Sequence, residues 1–412
     1  MLSPSPAPSR APSYAAVLRT RHASRTFGSA LLGRLSYGMV SLSLMLAVKD
    51  TTGSYSVAGT VMALFGATSV FLSPARATLI DRYGPRRALP PMAGVYAALL
   101  AALAYATWRP GTSSLLLGAL AVTAGACTPP LGPVMRTLWS TLVPERELLQ
   151  RAYSLDGVAE ELLFVTGPLM VGAVIGFAVP AAGVAISAAL VLVGTLALVS
   201  SPVVRDVGTT PSAPKAVAPR GAPRAQRLLG VVGLRHAAVV AAAVGLCLGA
   251  LDLLVVAFTE QHHRGAAVAW VMAALSAGSA VGGLAHGAVS WRASNRVRLP
   301  VPAAGLGLAM AVAGLSPDVY VLVAVVAAAG AFVAPALTTA YLVADESVGE
   351  GSRTQAGAWV NTAVNAGSSV GTALVGLLVD RLSPAACFAV AALPALLCAA
   401  VVARGAVGRS RR

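Results

Sequence analysis

Apolar residues in this chain run in blocks of about 20–25, divided by short polar breaks and without amphipathic spacing inside the blocks. As helix, a block of that length crosses a hydrocarbon core of ~30 Å. The ~10-residue alternating strands of a membrane barrel do not occur in the pattern. Twelve helical segments are therefore predicted, at 26–48, 55–79, 88–108, 113–137, 153–177, 179–200, 237–258, 266–290, 299–315, 319–343, 356–379 and 384–403. Breaks such as Arg109-Pro110-Gly111, Val179-Pro180 and Ser383-Pro384 are short enough to force antiparallel neighbours.

The pattern also repeats. Val61-Met62-Ala63, Ser69, Arg82, Arg86 and Leu89-Pro90 return 210 positions later as Val271-Met272-Ala273, Ser279, Arg292, Arg296 and Leu299-Pro300. Ala124-Gly125-Ala126 with Pro130 answers Ala329-Gly330-Ala331 with Pro335 at an offset of 205, and Gly167 answers Gly371 at 204. An offset near half of 412 residues predicts two copies of one six-helix unit, the architecture of many transporters. The expected fold is an all-α membrane protein with twelve transmembrane helices in two pseudo-symmetric bundles. Its expected divisions are a disordered tail at 1–25, a first half at 26–200, a Pro- and Arg-rich linker at 201–235, a second half at 236–403 and a basic tail at 404–412.

Composition agrees with the membrane reading: 57% of residues are apolar and 11% charged, against about 25% charged in soluble domains. The net charge of +15 raises nucleic acid as a partner, and its distribution argues against it. With the N-terminus inside, 23 of the 30 Lys and Arg fall in the tails and the loops on the inner side. Only Lys49, Arg109, Arg264 and Arg381 fall on the opposite side, which is the positive-inside bias and predicts both termini in the cytoplasm of a cell (inner) membrane protein. Cys127, Cys247, Cys387 and Cys398 lie inside apolar blocks without a C-x-x-C pair, so neither a disulfide framework nor a metal site is expected. No cleavable signal precedes the first segment.

After the second segment comes Asp81-Arg82-Tyr83-Gly84-Pro85-Arg86-Arg87. Its Gly suits a tight turn, its acid can meet a neighbouring helix N-terminus, and its Arg side chains can sit at anionic headgroups. In these residues, and in its twelve segments and long central basic loop, the chain resembles the major facilitator superfamily, whose signature here is G-x-x-x-D-R-x-G-R-R. Two departures are visible: Ala77 replaces the leading Gly, and Pro85 displaces the first Arg after Gly84. The second copy keeps that Gly as Gly287 with Arg292 and Arg296, and has Trp291 in place of the acid. The resemblance implies that Asp81, Arg82 and Arg86 latch the two halves on the cytoplasmic side, with Gly84 and Arg87 completing the loop. In the fifth segment Gly157, Gly167-Pro168 and Gly172 resemble the antiporter motif of family exporters, although Leu163 and Val171 stand where Gly is expected. Ordinary small-residue packing is the other reading of that motif.

Ionisable residues inside spans are functional candidates. Arg34 and Glu161 each lie eight residues into segments one and five, ~12 Å deep, with Glu160 beside Glu161 and Asp156 one turn earlier. The family architecture puts these segments side by side. That predicts an ion pair of Arg34 with Glu161 or Glu160, serving proton coupling or, alternatively, structure alone. His286 in segment eight is expected nearby. Asp252, sixteen residues into segment seven, is a substrate or proton candidate in the outer half. Segment four is read as lacking a mid-helix Arg, with Arg136 at its inner end. Pro129, Pro130 and Pro133, echoed by Pro335, are expected to kink segments four and ten.

The chain is thus expected to be a secondary transporter moving a small organic molecule by alternating access, with proton-coupled efflux favoured. Uptake by symport or uniport, and a non-transporting receptor that keeps the fold, are the alternatives. No nucleotide-binding or hydrolase motif occurs, so no enzyme activity, cofactor or metal is expected. The expected partners are the bilayer, protons and a small-molecule substrate, and monomeric function is what the resemblance implies.

Overall fold

The computed structural model describes residues 13–109, 111–207, 228, 230–264, 267–379 and 381–410. Every regular element among them is helical. A short α1 (Tyr14–Arg19), capped by the Ser13 hydroxyl, leads into α2 (Ala23–Thr52), so the tail predicted as disordered to residue 25 is helical from Tyr14. The second segment is two helices, α3 (Tyr55–Phe71) and α4 (Ser73–Tyr83), bent by 41°. Next come α5 (Pro85–Trp108), the broken pair α6 (Ser114–Cys127) and α7 (Leu131–Leu142), then α8 (Arg146–Ile175), α9 (Pro180–Val199) and the short α10 (Pro202–Val207). The predicted linker falls largely outside the described residues. Beyond it lie α11 (Val232–Gln261), α12 (Val268–Ala288), α13 (Asn295–Arg298) with α14 (Pro300–Ala313), α15 (Val319–Ser347), α16 (Arg353–Leu378) and α17 (Pro384–Ser410).

Local chemistry sets these boundaries. Ser54, Ser113 and Asp318 cap α3, α6 and α15 by accepting from first-turn amides, and Pro85, Pro180 and Pro300 occupy the first helical position, where no N–H is needed. Gly84, at φ 80°, ends α4 in a conformation open chiefly to glycine. Among the described residues, ten helical spans are long and apolar enough to cross a membrane, or eleven with the bent α3–α4 pair. The remaining segment is α16, whose Asn, Gln, Ser and Thr content keeps it less apolar than the others. The predicted kinks divide unequally: segment four breaks at Thr128–Pro130, where two successive prolines lack N–H donors, while α15 passes through Pro335 unbroken.

The first six spans pack among themselves, α2 on α9 and α8, α5 on α9, and α3 on α6. The last six do likewise, α11 on α16, α12 on α15, and α14 on α17. The duplication is visible in the crossings. A Cβ on Gly125 would strike the Phe65 carbonyl between α6 and α3, and one on Gly330 the Leu275 carbonyl between α15 and α12. Gly167 meets Gly38 between α8 and α2, and Gly371 meets Leu246 between α16 and α11. Matching glycines thus let matching backbones touch. Between the halves, α8 packs on α12 and α15, and α16 packs on α4 and α7.

Candidate functional site

Four charged side chains close a ring inside the first half. Arg34 Nη1 of α2 lies 2.8 Å from Asp156 Oδ1 of α8, and its Nη2 lies 3.0 Å from Glu160 Oε2. Arg136 of α7 completes the circuit, with Nε 3.2 Å from Asp156 Oδ2 and Nη2 2.5 Å from Glu160 Oε2. The two acids lie one helical turn apart, so both point from one face of α8, and each meets both guanidinium groups. Asp156 and Arg34 are sealed from solvent, while the Glu160 side chain keeps 31% of its surface exposed. Burying four charges is costly, and the ring offsets this by summing to zero and pairing every member. Glu160 is the one acid of the ring that water reaches.

The ring touches the second half through Arg136. Its guanidinium carbon lies 3.7 Å from the centre of the Tyr341 ring of α15, a cation–π contact within the buried core. Tyr153 of α8 donates to the Arg136 carbonyl at 3.1 Å, steadying the short α7. Above the break, Arg76 of α4 fills the space left by the prolines. Its guanidinium donates to the carbonyls of Gly125 at 2.8 Å and Ala126 at 2.9 Å, and to that of Ser69, so one cation caps the broken ends of both α6 and α3. Tyr37 Oη donates to the Pro129 carbonyl at the same break, which also accepts from the Leu131 amide.

Of the predicted site residues, Arg34 and Glu160 meet, whereas Glu161 is not the partner of Arg34. Glu161 points to the other half and accepts a hydrogen bond from Ser279 Oγ of α12 at 3.1 Å. Adjacent helical positions differ by 100° in direction, which is why neighbouring acids serve different partners. Two ring members were missed in the sequence. Arg136 is expected at the inner end of a kinked segment four, and the structure instead packs α7, which carries it, against α2 and α8. Asp156 had a signal, its one-turn spacing from Glu160. Asp252 is exposed on α11 and makes no hydrogen bond or ion pair among the described residues. His286 stays apart from the ring: its Nε2 lies 3.4 Å from Thr339 Oγ1 and its ring stacks obliquely on Trp291.

Among the contacts that join the halves are two of opposite polarity at one end. Asp81 accepts from the backbone amides of Thr354 at 3.3 Å and Gln355 at 2.9 Å, placing a carboxylate on the N-terminus of α16. At the repeat-related position, donors from α8 cap the C-terminus of α12. Gln150 donates to the His286 carbonyl at 2.7 Å, and Arg151 to the Ala288 carbonyl at 2.9 Å. Gly287 lets this contact form, since a Cβ there would strike Ser154 and Tyr14. Tyr14 Oη donates to the Leu284 carbonyl at 2.5 Å, and burial raises its phenol pKa.

The other loop residues sit less centrally. Arg82 stacks over Tyr83 at 5.2 Å, Arg86, Arg87 and Arg292 are exposed, and Arg296 lies 3.3 Å from Ser347. Among the described residues, hydrogen bonds and ion pairs between the halves extend from this end only to mid-helix, at Glu161–Ser279 and Thr362–Val70. Of the helix-five motif, Gly167 is a helix crossing, Gly157 and Gly172 face open space, and Pro168 lies within unbroken α8. No group of three or more His, Cys, Asp or Glu that could hold a metal occurs among the described residues.

The chain matches the family model described as Major Facilitator Superfamily over residues 26–301 and again over 239–411. No curated protein is similar to it in sequence. Among solved structures it is similar to a bacterial homologue of the iron transporter ferroportin in an outward-facing state. The TM-score is 0.71 at 15% identity, over 95% of this chain and 100% of that one. It is also similar to the human organic anion transporter MFSD10 (TETRAN), with TM-score 0.66 at 16% identity over 92% and 99% of the chains. A third likeness is the E. coli fucose:proton symporter FucP, with TM-score 0.59 at 16% identity over 90% and 98%.

Proposed function

The chain belongs to the Major Facilitator Superfamily, and from that premise we propose that it is a proton-coupled secondary transporter exporting a small organic molecule by alternating access. The two halves, 26–200 and 236–403, rock about their shared contacts, and the chain acts as a monomer in the cell membrane with both termini in the cytoplasm. With that orientation the contacts at Asp81 and Gln150 close the cytoplasmic end, and the cleft faces outward.

The observation that carries the reading is the double role of Arg136, bound to Glu160 in one half and stacked on Tyr341 in the other. A proton reaching the partly exposed Glu160 cancels its charge and removes one anion from two guanidinium groups. The ring then carries a net positive charge in low dielectric, and Arg136 is free to leave its place beneath Tyr341. Loss of that contact loosens the halves and favours the alternative state. Release of the proton on the other side restores the ring. Asp156, sealed and bound by both guanidinium groups, holds the ring together throughout. Asp252 and Glu161 supply further acids beside the route, and the Asp81 loop governs the cytoplasmic latch.

Proteoliposomes with an imposed pH gradient test the coupling. Glu160→Gln abolishes the response of flux to the gradient while leaving substrate binding intact, and Glu161→Gln weakens it. Undiminished gradient-driven transport with both residues neutralised would falsify the coupling role. A fluorescent-substrate assay in cells, with and without an uncoupler, reads direction: accumulation that rises on uncoupling supports efflux, and uptake that collapses on uncoupling indicates symport.

A further inference from the structure

We propose that a lateral groove on the first half, between α4, α5 and α6, binds an anionic phospholipid from the leaflet facing the basic loops. The groove has a volume of about 530 Å³ and is walled by Leu79, Met92 and Val95, with Cys127 behind them. That size lies within the roughly 300–1,000 Å³ of ordinary small-ligand sites. Every lining residue comes from the first half, and α5 packs on α9, α6 and α2 of that same half. The groove therefore lies away from the cleft between the halves, and Leu79, Tyr83 and Val95 at its mouth are about half exposed.

Its charge is what selects the occupant. Arg76 lines the groove, is buried to 6% exposure, and takes part in no ion pair among the described residues. Its Nη atoms are spent on the helix-end carbonyls described above, while its Nε has no hydrogen-bond partner. A buried guanidinium without a counter-ion gives an apolar groove a positive potential. Arg87 stands exposed at the mouth, and Arg82 stacks on the Tyr83 ring beside it. From Arg87 to Val95 the groove descends eight residues of α5, ~12 Å, most of one leaflet's hydrocarbon depth.

A phosphate at Arg87 with an acyl chain along Leu79, Met92 and Val95 satisfies both features. A neutral lipid leaves the cations unanswered, and a free phosphate leaves the apolar wall wet. One anionic lipid so placed also rests on Arg87 and Tyr83, on either side of the Gly84 turn, and so steadies the loop that carries Asp81.

Native mass spectrometry of the detergent-purified full chain tests this with dioleoylphosphatidylglycerol, dioleoylphosphatidylcholine and glycerol 3-phosphate. Wild type binds the anionic lipid about fivefold or more tighter than the zwitterionic one, as one basic contact provides, and does not bind glycerol 3-phosphate. Arg87→Gln removes that preference. Val95→Trp fills the groove and lowers binding of both lipids, whereas Val297→Trp, on the exposed surface of the other half, changes neither. All three positions are exposed, so folding is checked by monodispersity and an unchanged melting temperature. Equal affinity for the two lipids, full binding by Val95→Trp, or saturable binding of glycerol 3-phosphate overturns the proposal.

Discussion

The guanidinium of Arg136 lies 3.7 Å from the centre of the Tyr341 ring, and through that contact the charged ring of one half reaches the other. A desolvated cation–π pair is worth about 2 kcal/mol. Tyr341→Phe keeps the ring face and is expected to transport at close to the wild-type rate. Tyr341→Leu removes it and is expected to slow transport by about tenfold, the equivalent of ~1.4 kcal/mol. Initial rates in proteoliposomes distinguish the two; equal rates would show that the contact is only packing.

Asp156 holds both arginines from a sealed position. Asp156→Asn strands two buried cations with Glu160 alone and is expected to cost about 3–5 kcal/mol. Adding Arg34→Gln should return part of that loss, giving a coupling energy of at least ~1 kcal/mol in a double-mutant cycle. Unfolding of the detergent-solubilised protein reads it. Strictly additive losses would mean that the two residues act independently.

At the contact between α4 and α16, Asp81→Asn keeps a hydrogen-bond acceptor and removes the charge facing the N-terminus of α16. A loss of about 1 kcal/mol is expected, a shift of roughly fivefold toward the state open at this end. Spin labels at the exposed positions Arg82→Cys and Arg292→Cys should then report a larger population of long distances. An unchanged distance distribution counts against a latch at Asp81.

The helix-five glycines separate by position. Gly167→Val drives a side chain into the Gly38 backbone and is expected to abolish folded protein, and Gly371→Val should do the same against Leu246. Gly157→Ala meets open space and should leave the melting temperature unchanged or slightly raised. Expression and size-exclusion profiles decide. A well-folded Gly167→Val would mean that α2 and α8 need not approach so closely.

Much of this was legible beforehand. Apolar block length gave the spans, because a bilayer accepts little besides helices of that length. The repeated Gly125/Gly330 and Gly167/Gly371 pairs marked the duplication, and the structure puts each at a helix crossing, because only a missing side chain lets two backbones touch. Asp81 was recognisable as the acid for a helix N-terminus, though not the helix it would cap. The ring itself was read only in part. Arg34 and Glu160 were candidates by depth, but the angle between Glu160 and Glu161 on α8 decided which acid turned inward. Arg136 was discounted because its distance along segment four put it at the rim, and the expected kink did not say which helices its end would pack against.

Sequence alone thus determined the class of the molecule, its duplication, its spans and the chemistry of the loop that carries Asp81, since these depend on local pattern and on the solvent the chain must satisfy. Tertiary structure decided which charges meet. The Pro129-Pro130 break interrupts segment four, and the packing of α7 on α2 and α8, which no local pattern specifies, brings Arg136 to Asp156, Glu160 and Tyr341. An ion pair between distant residues depends on the packing of whole helices. Their charges state only that a partner must exist, because an unpaired one could not stay buried.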